Sequence, residues 1–253
     1  MHESEAVTPT RHVILGDTHG DFLWTVKVLD HAQELGIRTI FQVGDWGFLW
    51  PGDEPLTHKD QTNGLADALR ARGQRMFFID GNHDWHPKLR QRKKWPEEIV
   101  YCKRGTARTF LNDDGRAIRV GFMGGAPSID KSMRVENLDW WPEEEILAKD
   151  LPTEKLDILI THDAPERPHN LAELELPMAL VYKCRSSQAF IQQAIRETQP
   201  RLLFHGHYHW SYKGSFEGTE VRGLAHNRKP GGYIVVNHNF EEITDPITGW
   251  VTK

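Results

Sequence analysis

The sequence predicts an α/β fold in one domain, built around a parallel sheet. Over the first 85 residues, apolar runs of strand length alternate with segments of helical period, the pattern of βαβ units. Several of those runs end in short clusters of Gly, Asp, Asn and His, and α/β proteins place their sites at such strand ends. A length of 253 residues suits a single large domain. A chain of that size buries about three quarters of its unfolded surface, so stability alone requires neither disulfides nor metals.

In chain order, residues 1–10 are polar and read as a flexible N-terminus, leaving 11–253 as the domain. His12 to Leu15 is the first strand. Phe22, Leu23, Val26, Leu29, Ala32 and Leu35 then recur at helical spacing until Gly36 stops the helix. Thr39 to Val43 is the second strand, followed by a polar loop with Pro51, Gly52 and Pro55 and a helix over His58 to Ala71. Arg75 to Ile79 is the third strand.

Ile99 to Phe110 has β character, and Ala117 to Met123 is a further strand. Asp130 to Trp141 reads as a polar, aromatic loop. Pro142 to Ala148 reads as a short helix, with proline at its start and acids in its first turn. Leu156 to Ile160 is a strand, Ala164 to Tyr182 a loop excursion with three prolines, and Ser186 to Glu197 a helix. Arg201 to Phe204 is a strand, and the rest, Tyr233 to Asn237 most clearly, reads as antiparallel strands.

Composition narrows the function classes. A net charge of −5 gives no global attraction to nucleic acid or membranes, so any anion site must be local. No apolar run nears the roughly 18 residues of a membrane span, and the N-terminus lacks the apolar core of a signal peptide. Cys102 and Cys184 are too few for a disulfide framework and fit a reducing cytoplasm. Histidine is abundant, at 14 residues.

Five strand ends carry metal-competent side chains: Asp17 with His19, Asp45, Asn82 with His83, His162, and His207 with His209. Residues two apart on a strand face the same side, so Asp17/His19 and His207/His209 are expected to point inward as pairs. With His83 set aside, the seven ligand types fit two divalent ions. Asp17, His19 and His209 would hold one, Asn82, His162 and His207 the other, and Asp45 would bridge. Imidazole, carboxylate and amide oxygen suit Mn, with Fe, Zn or Ni as alternatives. Two such ions can lower the pKa of a bridging water, whose hydroxide attacks phosphorus in line. Counting two carboxylates and that hydroxide, the site keeps roughly one positive charge and attracts phosphate. His83 is free to protonate the leaving oxygen, with Asp84 or a backbone carbonyl orienting its ring. Asp163 and His205 flank ligands and could orient them.

The ordered set Gly16-Asp17-Thr18-His19-Gly20, Gly44-Asp45, Gly81-Asn82-His83-Asp84, Thr161-His162 and Gly206-His207-Tyr208-His209 resembles the calcineurin-like metallophosphoesterases. The resemblance implies a four-layer α/β/β/α sandwich of two mixed sheets flanked by helices. It also implies a two-metal centre with the ligands above, hydrolysis of phosphate esters, and His83 as the acid. The second motif continues Trp46-Gly47-Phe48-Leu49, without the acid and arginine of the protein phosphatases and dinucleoside-polyphosphate hydrolases. Gly81-Asn82-His83-Asp84 is closer to the phosphodiesterase and DNA-repair nuclease branches. The stretch from Gly124-Gly125-Ala126 through Lys131 and Arg134 to Trp140-Trp141-Pro142 resembles bacterial and phage members, and faintly the basic loop of RNA lariat debranching enzymes.

Substrate contacts follow as expectations. Lys131 and Arg134 could reach the phosphate in place of the missing arginine. Trp46, Trp50 and Trp85 follow metal motifs and could stack on a base, or could cover the core. The basic run of residues 88–94 (Lys88, Arg90, Arg92, Lys93, Lys94) is either a solvated helical face or a nucleic-acid contact. The expected substrate is a phosphodiester, nucleotide or nucleic acid. A broad phosphomonoesterase and a non-catalytic metal-bearing interaction module are the alternatives.

Overall fold

In a computed structural model, residues 10–51, 59–166 and 177–243 are described. Outside them lie the expected flexible end at 1–9, Gly52 and Pro55, the His58 start of the second helix, most of the 164–182 excursion and residues 244–253.

The chain runs β1 (Arg11–Leu15), α1 (Phe22–Glu34), β2 (Thr39–Gln42), β3 (Leu49–Trp50), β4 (Lys59–Asp60), α2 (Thr62–Ala71), β5 (Arg75–Phe78), α3 (His86–Gln91) and β6 (Ile99–Tyr101). It continues with β7 (Thr106–Leu111), β8 (Ala117–Met123), β9 (Ile158–Thr161), α4 (Met178–Thr198), β10 (Leu202–His205), β11 (Tyr212–Phe216), β12 (Thr219–Gly223) and β13 (Tyr233–Asn237). The strands form two mixed sheets and a short β3–β4 ribbon. The first sheet has the order β13-β1-β2-β5-β6, parallel except for β13. The second has the order β11-β12-β10-β9-β8-β7, parallel except for its two edge strands, β7 and β11.

Strand periodicity assigns the layers. Val13 and Leu15 of β1 face α1 and α2, packing with Val28, Leu29, Leu65 and Leu69. Ile14, between them, faces the second sheet and meets a core that contains Phe41, Phe122, Ile160 and Phe204. On the far side of the second sheet, Leu159 and Leu203 lie under Ile191, Ala194 and Ile195 of α4. The layers are therefore helices, sheet, sheet and helix. The central strands are apolar on both faces, as strands sandwiched on both sides must be. Among the described residues, no helix is long and apolar enough to cross a membrane.

Four local expectations change. The second helix begins at Thr62, since Lys59–Asp60 pairs with Leu49–Trp50 as a ribbon and Asp60 accepts from the Thr62 amide at 3.1 Å. The last long helix begins at Met178, eight residues before the expected Ser186, because all three prolines precede it and Pro177 serves as its N-cap. Its first turns bury nothing until Ser187, so they carried no apolar period. The helix expected over Pro142 to Ala148 is instead two 3₁₀ turns, Pro142–Glu144 and Ala148–Asp150, with extended backbone at Glu145 between them. The β segment expected over Ile99 to Phe110 is divided between the sheets, β6 in the first and β7 in the second.

Candidate metal centre

The strand ends that carry the motifs belong to both sheets: β1, β2 and β5 of the first, β9 and β10 of the second. The side chains converge, though not by strand alternation. β1 ends at Leu15 and β10 at His205, short of the paired residues. The convergence comes from left-handed backbone at His19 (φ 45°), Asp45 (φ 52°), His207 (φ 66°) and His209 (φ 55°). Such φ values are uncommon for residues with a Cβ and cost about 1–3 kcal/mol each, a strain that concentrates at functional sites.

The donor atoms of Asp17, His19, Asp45 and His209 all lie within 4.8 Å of one another. His209 Nε2 is 3.1 Å from Asp17 Oδ2 and 3.2 Å from His19 Nε2. Asp45 turns its Oδ2 toward His19 at 3.9 Å and its Oδ1 toward His162 Nε2 at 3.3 Å. Beyond it, Asn82 Oδ1 lies 3.0 Å from His162 Nε2 and 2.9 Å from His207 Nδ1. Donors about 2.1 Å from one ion and at right angles around it are about 3.0 Å apart, so these spacings fit divalent-cation ligation.

Two further observations favour a cation here. Asp17 Oδ1 is buried without a hydrogen-bond partner, an arrangement a cation would satisfy. Glycines also keep the cradle open. A Cβ at Gly206 would collide with Asp17 Oδ1, and one at Gly81 with Asp45 Oδ1 and the His162 ring.

Electrostatics follow from burial and proximity. Burial alone would raise the Asp45 carboxyl, but His162 and His83 hold it well below the usual carboxylate range. Burial pulls the His162 imidazole down, yet Asp45 outweighs this and carries it up to about 10. His207 falls well below the usual histidine value, through burial first and the facing His162 second. The His162 ring is oriented by the backbone, with Nδ1 2.8 Å from the Val43 carbonyl, which leaves Nε2 toward the cluster. Among the described residues, the hydrogen bonds of Asp163 and His205 go to groups other than the expected ligand side chains. Asp163 accepts from Ser187 and from the Ala164 amide, and His205 meets Tyr212.

His83 stands at the edge of the cluster, its ring 5.3 Å from that of His19 and its amide donating to Asp45 Oδ1 at 2.7 Å. Arg134 Nη2 lies 2.7 and 3.0 Å from the two His83 ring nitrogens and 2.6 Å from Asp130 Oδ2. Burial lowers the His83 imidazole, Asp45 opposes this, and Arg134 adds to the lowering.

Other expected residues sit elsewhere. Asp84 does not orient the His83 ring. It is buried and accepts from the amides of Trp46, Gly47 and Gly81, bracing the second and third motif loops against each other. Trp46 is fully buried and stacked on Phe78 at 4.2 Å, so it offers no face to a base. Trp85 packs on the first core, and Trp50 meets the edge of Trp141. Lys131 places its Nζ 3.6 Å over the Trp140 ring. In the basic run, Lys88 lies over Trp85, Arg90 donates to the Glu143 carbonyl, and Arg92 engages Asp60, Thr62 and the Trp95 ring.

Sequence reasoning missed His226, whose ring is 4.6 Å from that of His209. It follows β12, which runs parallel to β10. The short His226-Asn227 cluster after an apolar run was the available signal.

Two mixed sheets between helices carry, at strand ends of both, a cluster of Asp, Asn and His with buried carboxylates that could hold a metal ion. The calcineurin-like phosphoesterase profile matches residues 10–211, and the chain belongs to that family of phosphoester hydrolases. Its fold is shared with TT1561 of Thermus thermophilus, at TM-score 0.56 and 12% identity, covering 94% of this chain and 99% of that one. It is shared also with phosphopantetheinyl hydrolase from Mycobacterium tuberculosis, at TM-score 0.52 and 13% identity, covering 95% and 98%. No curated protein matches the sequence.

Proposed function

We propose that the chain hydrolyses phosphodiesters, with nucleotide or nucleic-acid esters as the substrate class, at a centre of two divalent ions for which manganese is well suited. Asp17, His19 and His209 would hold one ion and Asn82, His162 and His207 the other, with Asp45 shared. When bound, the ions supply positive charge for the phosphoryl oxygens and lower the pKa of the attacking water. His83 gives a proton to the leaving oxygen, and Arg134 beside it steadies the phosphoryl group with a planar fork of donors. Arg134 lowers the His83 imidazole in the free site, and the negative charge of an arriving phosphate opposes that. Cys102 and Cys184, which form no disulfide with each other, suit a reducing compartment such as the cytoplasm.

The diester reading rests on one observation. A cavity of about 670 Å³ opens beside the cluster, with His209, His226, Trp210 and Lys229 in its wall. That volume lies within the range of sites that enclose a whole small molecule. Neither His83 nor Arg134 lines it, so a substituent held there is separate from the leaving group beside His83, as a diester requires.

The test compares bis(p-nitrophenyl) phosphate with p-nitrophenyl phosphate in the presence of Mn²⁺. A higher kcat/KM for the diester is expected, and preference for the monoester would end the diester reading. His83→Ala should retain metal and lose roughly 10²–10⁴ of turnover on esters with poor leaving groups. Unchanged turnover on those esters would remove His83 from the mechanism.

A further inference from the structure

An asparagine can ligate a cation only through its carbonyl oxygen, yet its side chain has two ends of similar shape. Here the choice of end is made by residues outside the five motifs. Asn82 Nδ2 lies 3.2 Å from Ser128 Oγ. Ser128 in turn sends both its donors to Glu144, Oγ to Oε2 at 2.5 Å and the amide to Oε1 at 2.8 Å. All three side chains are buried, Asn82 at 3%, Ser128 at 0% and Glu144 at 1% exposure, so water does not substitute for a missing partner.

The polarity of this chain is fixed by chemistry. Burial raises the Glu144 carboxyl, and its two bonds from Ser128 oppose that; as a carboxylate it only accepts, so the Ser128 hydroxyl must donate to it. That hydroxyl has a single proton and so has none left for Asn82; it can only accept from it. The end of Asn82 that faces Ser128 must therefore be the NH₂ group, and Oδ1 must face His162 and His207. We propose that Ser128 and Glu144 are positioning residues that set the carbonyl of Asn82 toward the second cation. The inference rests on the reading of Asn82 as a ligand given above.

One guanidinium ties both ends of the relay. Arg104 donates to Asp80 at 2.6 Å, two residues before Asn82, and to the carbonyl oxygens of Glu143, Glu144 and Glu145 at 3.0, 3.2 and 2.8 Å. The Gly125 amide adds a bond to the Asp80 carbonyl at 2.8 Å. A Cβ at Gly124 would strike Asp80, so this glycine lets the segment that carries Ser128 approach the third motif.

The test is a Mn²⁺ titration of metal-free protein against a competing chelator, with the exchange-coupled dimanganese electron-paramagnetic signal as a second readout. Ser128→Ala removes the hydroxyl. Glu144→Gln keeps the shape but introduces a donor that no longer forces the polarity. Both should weaken the second ion by about 10–100-fold and diminish the coupled signal, while the first ion binds as in the unaltered chain. If Asn82→Ala loses the second ion while Ser128→Ala and Glu144→Gln bind both ions normally, the proposal is overturned and the ligand assignment stands. If Asn82→Ala itself binds two ions normally, the ligand assignment fails and the proposal falls with it. Should Glu144→Gln not fold, the Ser128→Ala arm decides alone.

Discussion

Arg134 reaches the candidate metal centre from a stretch with no regular period, and its contact with His83 defines its expected effect. Arg134→Ala should lower kcat/KM toward diesters by about 10²-fold, the scale of losing one oriented donor to a phosphoryl group. It should also move the alkaline limb of the rate profile to higher pH, since Arg134 holds the His83 imidazole down and His83 must carry its proton to act as the acid. A pH–rate series on both proteins checks this. A second titration belongs to His12, buried with its ring against Phe41 and Phe240. Burial carries it down to about 4, while nearby Asp113 pulls the other way. Between about 4 and 6.5 the unfolded chain binds a proton that the native state refuses, so stability is full above 6.5 and falls as pH drops through this window. The loss attributable to His12 is about 3 kcal/mol, and His205, also lowered to about 4, acts in the same direction. Urea unfolding across that range should show a shallower pH dependence for His12→Phe. The motif residues that converge were legible at this scale because each sits in a short Gly, Asp or His string at a strand end. Ser128, Glu144 and the Arg134–His83 contact were not, because they depend on long-range meetings in a non-periodic segment. Of the two readings open for Trp46, core cover holds, because left-handed Asp45 and the Asp84 brace turn the loop so that the indole enters the core.

At the level of elements, the loops after the strands do the positioning, and two small changes should expose this. Asp84→Asn sets an amide among three backbone N–H donors and leaves one of them unmatched. A cost of about 2 kcal/mol is expected, together with weaker metal binding, although Asp84 belongs to neither donor group. Paired denaturation and metal titrations measure both. Gly206→Ala should abolish metal binding, because the added Cβ occupies the place of Asp17 Oδ1. Strands and the first two helices were legible from period and breakers. The start of α4 was not, since its first turns face no core. The 3₁₀ turns around Glu144 were hidden for a related reason: the glutamate faces inward to Ser128, where a pattern rule expects a solvated acid.

At the scale of the whole molecule, the two sheets meet over an apolar core and share one polar cluster at their ends. Ions held there bind the native state alone, so their removal should lower stability. Each site at 100 times its Kd contributes about 2.7 kcal/mol. Melting with a chelator and with excess Mn²⁺ should differ accordingly. No donor group is complete within a single sheet: Asp17, His19, Asp45 and Asn82 come from the first, His162, His207 and His209 from the second. On the proposed ligand assignment, a chain with only one sheet assembled should be catalytically silent, with no half-formed species lending a residual rate. Turnover then serves as an indicator of complete folding: during refolding it should return only with the last docking step, after secondary structure has already recovered.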